Sequence, residues 1–235
     1  MKIFASGSCR LLYSLHDGRG KVHPIHSLYY NFVGSNFLGK LHNTQQHLQF
    51  ISYLRDDLPD YIKSKFLTSY STDKFRECTF EDLSMNETKR KNISSEIDQC
   101  DWFVIEICSL KLYTKDGYSV QYELTQDYEY REQTNEELLI DLQKIRFLFP
   151  GKKMLFQTHF RPNIIYQDPS RVIQKREDIY ETVKYFCEQN DHTYHYDPSI
   201  LLETNHSLFD GDTHFTEQGS VENFNTIYAN FFSKY

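Results

Sequence analysis

Four short stretches hold the residue types that do chemistry: Ser6-Gly7-Ser8-Cys9-Arg10, Glu106-Ile107-Cys108-Ser109, Thr158-His159 and Asp210-Gly211-Asp212-Thr213-His214. Each falls at the end of an apolar run or just before a helical pattern. A nucleophile on a strand–turn–helix junction is exposed by the tight turn and acidified by the free N–H groups of the helix, which can also hold an oxyanion. Ser8 and Cys9 stand at such a junction. An Asp two positions before a His can orient the imidazole and stabilise its charged form, so Asp212 and His214 read as a general base near neutral pH. Glu106 interrupts an apolar run, where a carboxylate is costly unless paired; it reads as a site residue or as the partner of one. His159 reads first as a strand-end residue bonded to a backbone carbonyl and second as a substrate contact. Arg10, Lys111 and Arg161 are cations that could meet ligand phosphates. His23, His26, His42 and His47 have no recognisable ligand spacing, so no metal is expected.

The elements that must position these residues follow from apolar periodicity. Lys2–Ser6 reads as a strand that breaks at Gly7-Ser8, and Cys9–His16 as a helix with Leu11, Leu12 and Leu15 on one face. A loop over Asp17–Tyr30 leads to an apolar piece at Tyr29–Val33, and Thr44–Leu58 reads as a helix. Residues 60–98 read as irregular connecting structure, with a helix near Tyr61–Leu67 and a patch at Phe80–Leu83. The near-continuous apolar run Asp101–Cys108 reads as a central strand buried on both faces. The Tyr113–Tyr130 stretch reads as loops and surface rather than as an aromatic platform for sugars. Asn135–Phe149 is predicted as a helix capped by Asn135 and stopped by Pro150-Gly151. Strand Lys153–Thr158, helix Ser170–Gln189, strand Thr193–Asp197 and helix Thr216–Phe232 complete the order. Strands alternating with helices, without hairpin signals, imply an α/β three-layer sandwich around a mainly parallel sheet, with chemistry at its carboxyl edge.

Composition narrows the function classes. The 235 residues carry 26 Lys+Arg against 33 Asp+Glu, a formal net charge of −7, so duplex nucleic acid is not the expected partner. A chain of this size supports one domain over residues 1–235 with its own core. Five cysteines without a CxxC pair suit a reducing, intracellular (cytoplasmic) setting better than a disulfide framework. The N-terminal run meets Ser6, Gly7, Ser8 and Arg10 before an apolar leader could form, and no stretch reaches the roughly 20 apolar residues of a spanning helix, so no membrane partner is expected.

The arrangement resembles the SGNH (GDSL-like) hydrolase and acyltransferase superfamily, in which a Gly-Asp-Ser turn follows the first strand and an Asp–His pair precedes the last helix. On that pattern Gly7 takes the glycine place, Ser8 the aspartate place and Cys9 the nucleophile place. Asp101–Ile107 matches the third block, and Tyr196-Asp197-Pro198 with Asp212-Thr213-His214 the fifth. Gly34 or Gly39 would supply the second-block glycine, with Asn36 or Asn43 as oxyanion donor. The chain departs from the hydrolases in its Gly-Ser-Cys turn, in Leu110 where the third block carries an Asn, and in the two-residue step from Asp212 to His214. The Asp-Thr-His spelling is similar to that of bacterial polysaccharide O-acetyltransferases of the same superfamily, and the Gly-Ser-Cys turn to that of proteins of surface-polysaccharide biosynthesis.

The resemblance implies a flavodoxin-like sheet and an acetyltransferase that uses acetyl-CoA as co-substrate and a sugar or nucleotide-sugar as acceptor. His214 with Asp212 would be its base, and Cys9 or Ser8 an optional acyl carrier. Gly7, Arg10, Gly39, Asn43, Glu106, Ser109, Lys111, His159 and Arg161 would line the substrate site. The competitors are a carbohydrate esterase of the same fold and a non-catalytic glycan- or nucleotide-binding module. The chain could also stand as one domain of a larger bifunctional enzyme.

Overall fold

The computed structural model describes residues 1–15, 31–33, 41–60, 80–119, 128–201 and 205–233. In chain order the strands are β1 (Lys2–Ser6), β2 (Asn31–Val33), β3 (Trp102–Ile107), β4 (Lys111–Lys115), β5 (Tyr118–Ser119), β6 (Glu129–Glu132), β7 (Lys153–Thr158), β8 (Thr193–Tyr196), β9 (Phe209–Asp210) and β10 (His214–Phe215). The helices are α1 (Cys9–Leu15), α2 (Thr44–Leu54), α3 (Phe80–Ile97), α4 (Asn135–Leu148), α5 (Pro162–Ile165), α6 (Gln174–Glu188), α7 (Pro198–Leu201) and α8 (Glu217–Ile227), the last running into a π turn at Tyr228–Phe232.

Five strands form one parallel sheet in the order β2-β1-β3-β7-β8. Successive side chains of a strand point to opposite faces, and each face has its own core. Phe4, Phe103, Ile105, Ile107, Met154 and Phe156 pack under α2, α4 and α6 with Phe50, Ile51, Leu142 and Val183. Ile3, Ala5, Trp102, Val104 and Leu155 pack on the other side with Leu11 and Leu15 of α1 and Phe224 and Ile227 of α8. The chain is thus a mixed α/β protein whose central parallel sheet carries helices on both faces, as the alternation of elements implies. The order reverses direction between β1 and β3, and in doubly wound sheets the crevice outside the carboxyl ends at that switch point is where ligands bind.

Four features differ from expectation. The 80–97 region is an 18-residue helix rather than irregular chain. Ile93 and Ile97 pack it against the core, and Arg90 on the same face is buried, bonds the Leu54 carbonyl at 3.2 Å and reaches over the Tyr53 ring. Part of the Tyr-rich stretch forms a small antiparallel sheet, β5-β4-β6. Its β4–β5 hairpin turns at Asp116 and Gly117, both at positive φ (53° and 80°), the left-handed pair that an Asp-Gly turn favours. The helix expected from Ser170 begins at Gln174, after a 3₁₀ turn at Pro169–Arg171. The cap of α4 is Thr134, in a capping box with Glu137, one residue before the expected Asn135. The expected helix at 61–67 lies outside the described residues. Among the described residues, no helix is long and apolar enough to cross a membrane.

Candidate active site

At the carboxyl edge the apolar alternation gives way to polar residues that stay buried, and each face of the sheet receives its own set. On the α1 face lies Glu106, fully buried at the end of β3. Its Oε2 accepts from the Ser8 backbone N–H at 2.7 Å and the Ser8 hydroxyl at 2.6 Å, and its Oε1 from Arg10 Nε at 2.7 Å. Burial alone would push the carboxyl up; the Arg10 charge and the two Ser8 donors outweigh it and hold the group below the usual carboxylate range. Gly7 is what lets β1 come this close, because a Cβ there would meet Glu106 Cβ at 2.8 Å.

On the opposite face His47 of α2 is buried and held by both ring nitrogens. Its Nε2–H donates to the Glu106 carbonyl at 2.8 Å, which leaves Nδ1 to accept from the Ser6 hydroxyl at 2.8 Å. The chain entering α2 also laces the two strand ends together. Leu41 N–H donates to the Gly7 carbonyl at 3.0 Å, and Cys108 and Ser109 N–H to the His42 carbonyl at 2.9 and 3.0 Å. Asn43 accepts from Gln46 N–H as the cap of α2, and its amide donates to the Lys111 carbonyl at 2.8 Å. It ties α2 to β4 with one of its two amide N–H groups.

The Asp212-Thr213-His214 stretch closes the β9–β10 hairpin, which beds on Phe160, Ile165 and Leu208 through Phe209 and Phe215. Arg10 reaches it: Nη1 donates to the Thr213 carbonyl at 2.9 Å, joining residues 203 apart in sequence. The two turns singled out from the sequence therefore meet through one arginine that also grips Glu106.

The expected Asp212–His214 pair is not formed. Gly211, at φ 61°, puts Asp212 in the turn rather than on the strand. There its carboxylate faces Arg171 at 3.6 Å. His214 is exposed, and its Nδ1 bonds the Thr213 hydroxyl at 2.8 Å. When Nδ1–H is the donor, Nε2 keeps its lone pair toward solvent, the state a general base needs.

The other expected residues divide. Ser8 is fully buried with its hydroxyl spent on a carboxylate, so it serves Glu106 and is not poised to attack a substrate. Cys9 opens α1 beside it; its side chain lies outside the described residues, as do Gly39, Gly34 and Asn36. Ser109 accepts from the Lys111 N–H at 3.0 Å, and the Lys111 side chain is exposed at the start of β4. Arg161 cannot serve phosphates as expected. It is buried, with Nε and Nη2 on Asp197 Oδ2 at 3.0 and 2.8 Å, Nη1 on Glu177 at 2.7 Å, and its guanidinium 3.7 Å from the Tyr180 ring centre. His159 is buried and donates from Nδ1 to the Phe160 carbonyl at 3.0 Å, its first reading. Among the described residues no group of three or more His, Cys, Asp or Glu could hold a metal ion; His23 and His26 lie outside them.

Sequence reasoning missed Arg176, and named Ser6 and His47 without the contact that joins them. A contact between residues 41 apart leaves no local signal, and Arg176 is one cation in a charged helix. Arg176 is partly buried, bonds the Phe160 carbonyl through Nη1 at 3.0 Å, and lies in electrostatic range of Arg10.

Two solution tests follow from these contacts. Ser8→Ala removes one of three donors to a buried carboxylate, and should cost about 1–2 kcal/mol in urea unfolding without removing a nucleophile. A mechanism that uses the Ser8 hydroxyl would lose its activity entirely in the same variant. Burial holds His47 and His195 down at about 4, and holds His159 well below the usual range together with Arg10 and Arg176. The unfolded chain takes up protons on these rings near pH 6.5 while the folded chain does not. Their contribution is therefore complete above about pH 6.5 and is lost as the pH falls toward 4. The urea midpoint should fall over that window, with net proton uptake on unfolding. A midpoint flat from pH 7 to 5 would contradict the neutral buried rings.

No model of a known protein family matches the chain, and no curated protein sequence matches it.

Proposed function

We propose that the chain is an acyl-transfer enzyme of the SGNH type, moving an acetyl group from acetyl-CoA to the hydroxyl or amine of a sugar in glycan or surface-polysaccharide assembly. The observation that carries the reading is the bridge from Arg10 to the Thr213 carbonyl, which sets the Gly7–Cys9 turn beside the hairpin of His214 at the switch point of the sheet. The order β2-β1-β3-β7-β8, parallel throughout, is that of flavodoxin-like doubly wound sheets and supports the same assignment.

Acetyl-CoA brings an acetyl group already activated as a thioester. The protein must then remove a proton from the acceptor as its oxygen or nitrogen attacks the carbonyl, and return one to the departing thiolate. His214 does both through Nε2, with Thr213 fixing the ring through Nδ1. Sequestration of Ser8 leaves Cys9 as the one candidate of the Ser8–Cys9 pair for a covalent acyl carrier, or direct transfer with none. It also weighs against an esterase built on Ser8. Of the cations expected for CoA phosphates, Arg161 is withdrawn by its ion pairs and Lys111 stays exposed.

The test is mass detection of acetylated product from acetyl-CoA and a panel of amino sugars, plain sugars and nucleotide-sugars, with hydrolysis of aryl acetates in parallel. Acetylated sugar supports transfer. Aryl acetate cleavage without it moves the assignment to the esterase, and silence in both leaves the binding module.

A further inference from the structure

The geometry points to an oxyanion-recognition site at the Arg176 guanidinium, beside His159 and the hairpin that Arg10 holds, which takes the carboxylate or phosphate of an acidic acceptor sugar. This deepens the transfer reading and rests on it for the identity of the ligand, not for the existence of the site. The His159 ring and the Arg176 guanidinium converge on one atom: His159 Nδ1–H and Arg176 Nη1–H both donate to the Phe160 carbonyl at 3.0 Å. Phe160 packs edge-on against Phe209 of the hairpin that carries His214, and Arg10 is bonded to that same hairpin.

Among the described residues the charge of Arg10 is answered by Glu106, and that of Arg176 is not. Arg176 lies in the first turn of the 15-residue α6, whose N-cap, Ile173, offers no side-chain bond. Cations are unfavourable at that end of a helix. The neighbouring Lys175 is answered by Glu132. Among the described residues, no carboxylate comes within ion-pair distance of Arg176; Asp212 is in electrostatic range but faces Arg171. Burial and the charge of Arg10 pull the Arg176 guanidinium down to about 10, and the same two arginines help to keep His159 neutral. A bound oxyanion would relieve both. The planar fork of arginine fits a carboxylate or phosphate in two-point contact. The CoA phosphates sit at the far end of the pantetheine arm from the thioester, so an anion beside the His214 hairpin belongs to the acceptor.

The test is calorimetric binding of inorganic phosphate, glucuronate and neutral glucose at fixed ionic strength, without donor. It compares wild type with Arg176→Gln, Arg176→Lys and the surface control Lys91→Gln. Phosphate or glucuronate should bind and glucose should not; Arg176→Gln should weaken binding about ten- to a hundredfold, Arg176→Lys less, and Lys91→Gln not at all. Which anion binds separates the phosphate ester from the uronic acid. No anion binding, or equal losses in Arg176→Gln and Lys91→Gln, would overturn the site. Anion binding lost in Arg176→Gln with no acetyl transfer to any sugar would sink the transfer reading and leave the site standing. Acetyl transfer to sugars with no anion binding in wild type would do the reverse.

Discussion

Glu106→Ala should lower the unfolding free energy by about 3–5 kcal/mol, the cost of stranding a buried charge. Arg10 is buried, and its Nε would lose the carboxylate 2.7 Å away. The Ser8 N–H and hydroxyl would lose their acceptor at the same stroke. The pair itself contributes little net stability, because removing both charges from water offsets most of their attraction. Glu106→Leu combined with Arg10→Met should therefore recover much of the loss, while releasing the Thr213 carbonyl from α1. Urea unfolding of the three variants checks this. A loss under about 1 kcal/mol for Glu106→Ala would contradict the described network.

His214→Ala should have the opposite profile, with kcat for acetyl transfer falling about 10²- to 10⁴-fold and stability within about 0.5 kcal/mol of wild type. The imidazole is exposed, so its loss leaves no buried group unpaired. Asp212→Asn should change kcat no more than about threefold, since that carboxylate faces Arg171 in an exposed pair rather than the ring. Steady-state kinetics beside thermal unfolding separates the cases. A collapse of activity in Asp212→Asn would mean that the catalytic state turns the carboxylate toward His214.

The contrast between Glu106 and His214 marks what the sequence could show. The strands β1, β3 and β7 were legible from apolar runs with clear stops, whereas the short β8, Thr-Tyr-His-Tyr, has no such run. Glu106 was legible as an anomaly, since an apolar run has no other use for a carboxylate. Its partners were not: Ser8 and Arg10 lie 98 and 96 residues away, and whether a hydroxyl faces a substrate or a carboxylate depends on the packing of β1 against β3. The Asp212–His214 spacing suggested a pair that extended chain would allow, but Gly211 turns the backbone there. The helix at 80–97 was not legible because a buried arginine, Arg90, stands on the packed face before Ile93 and Ile97, where periodicity expects an apolar residue. Asp116-Gly117 is a readable hairpin signal set among tyrosines. Arg161 and Arg176 look alike in sequence, yet the first is enclosed by Asp197 and Glu177 and the second meets only a backbone carbonyl and an aromatic ring among the described residues.

The most direct measurement of the central claim is release of free CoA thiol from acetyl-CoA, with and without sugar acceptors, in wild type, His214→Ala, Cys9→Ala and Ser8→Ala. Transfer at this site requires release that depends on an acceptor, is lost in His214→Ala and survives in Ser8→Ala at temperatures where that variant is folded; Cys9→Ala reports whether the acetyl group passes through the thiol. Release that ignores the acceptor, or persists undiminished in His214→Ala, would contradict the account.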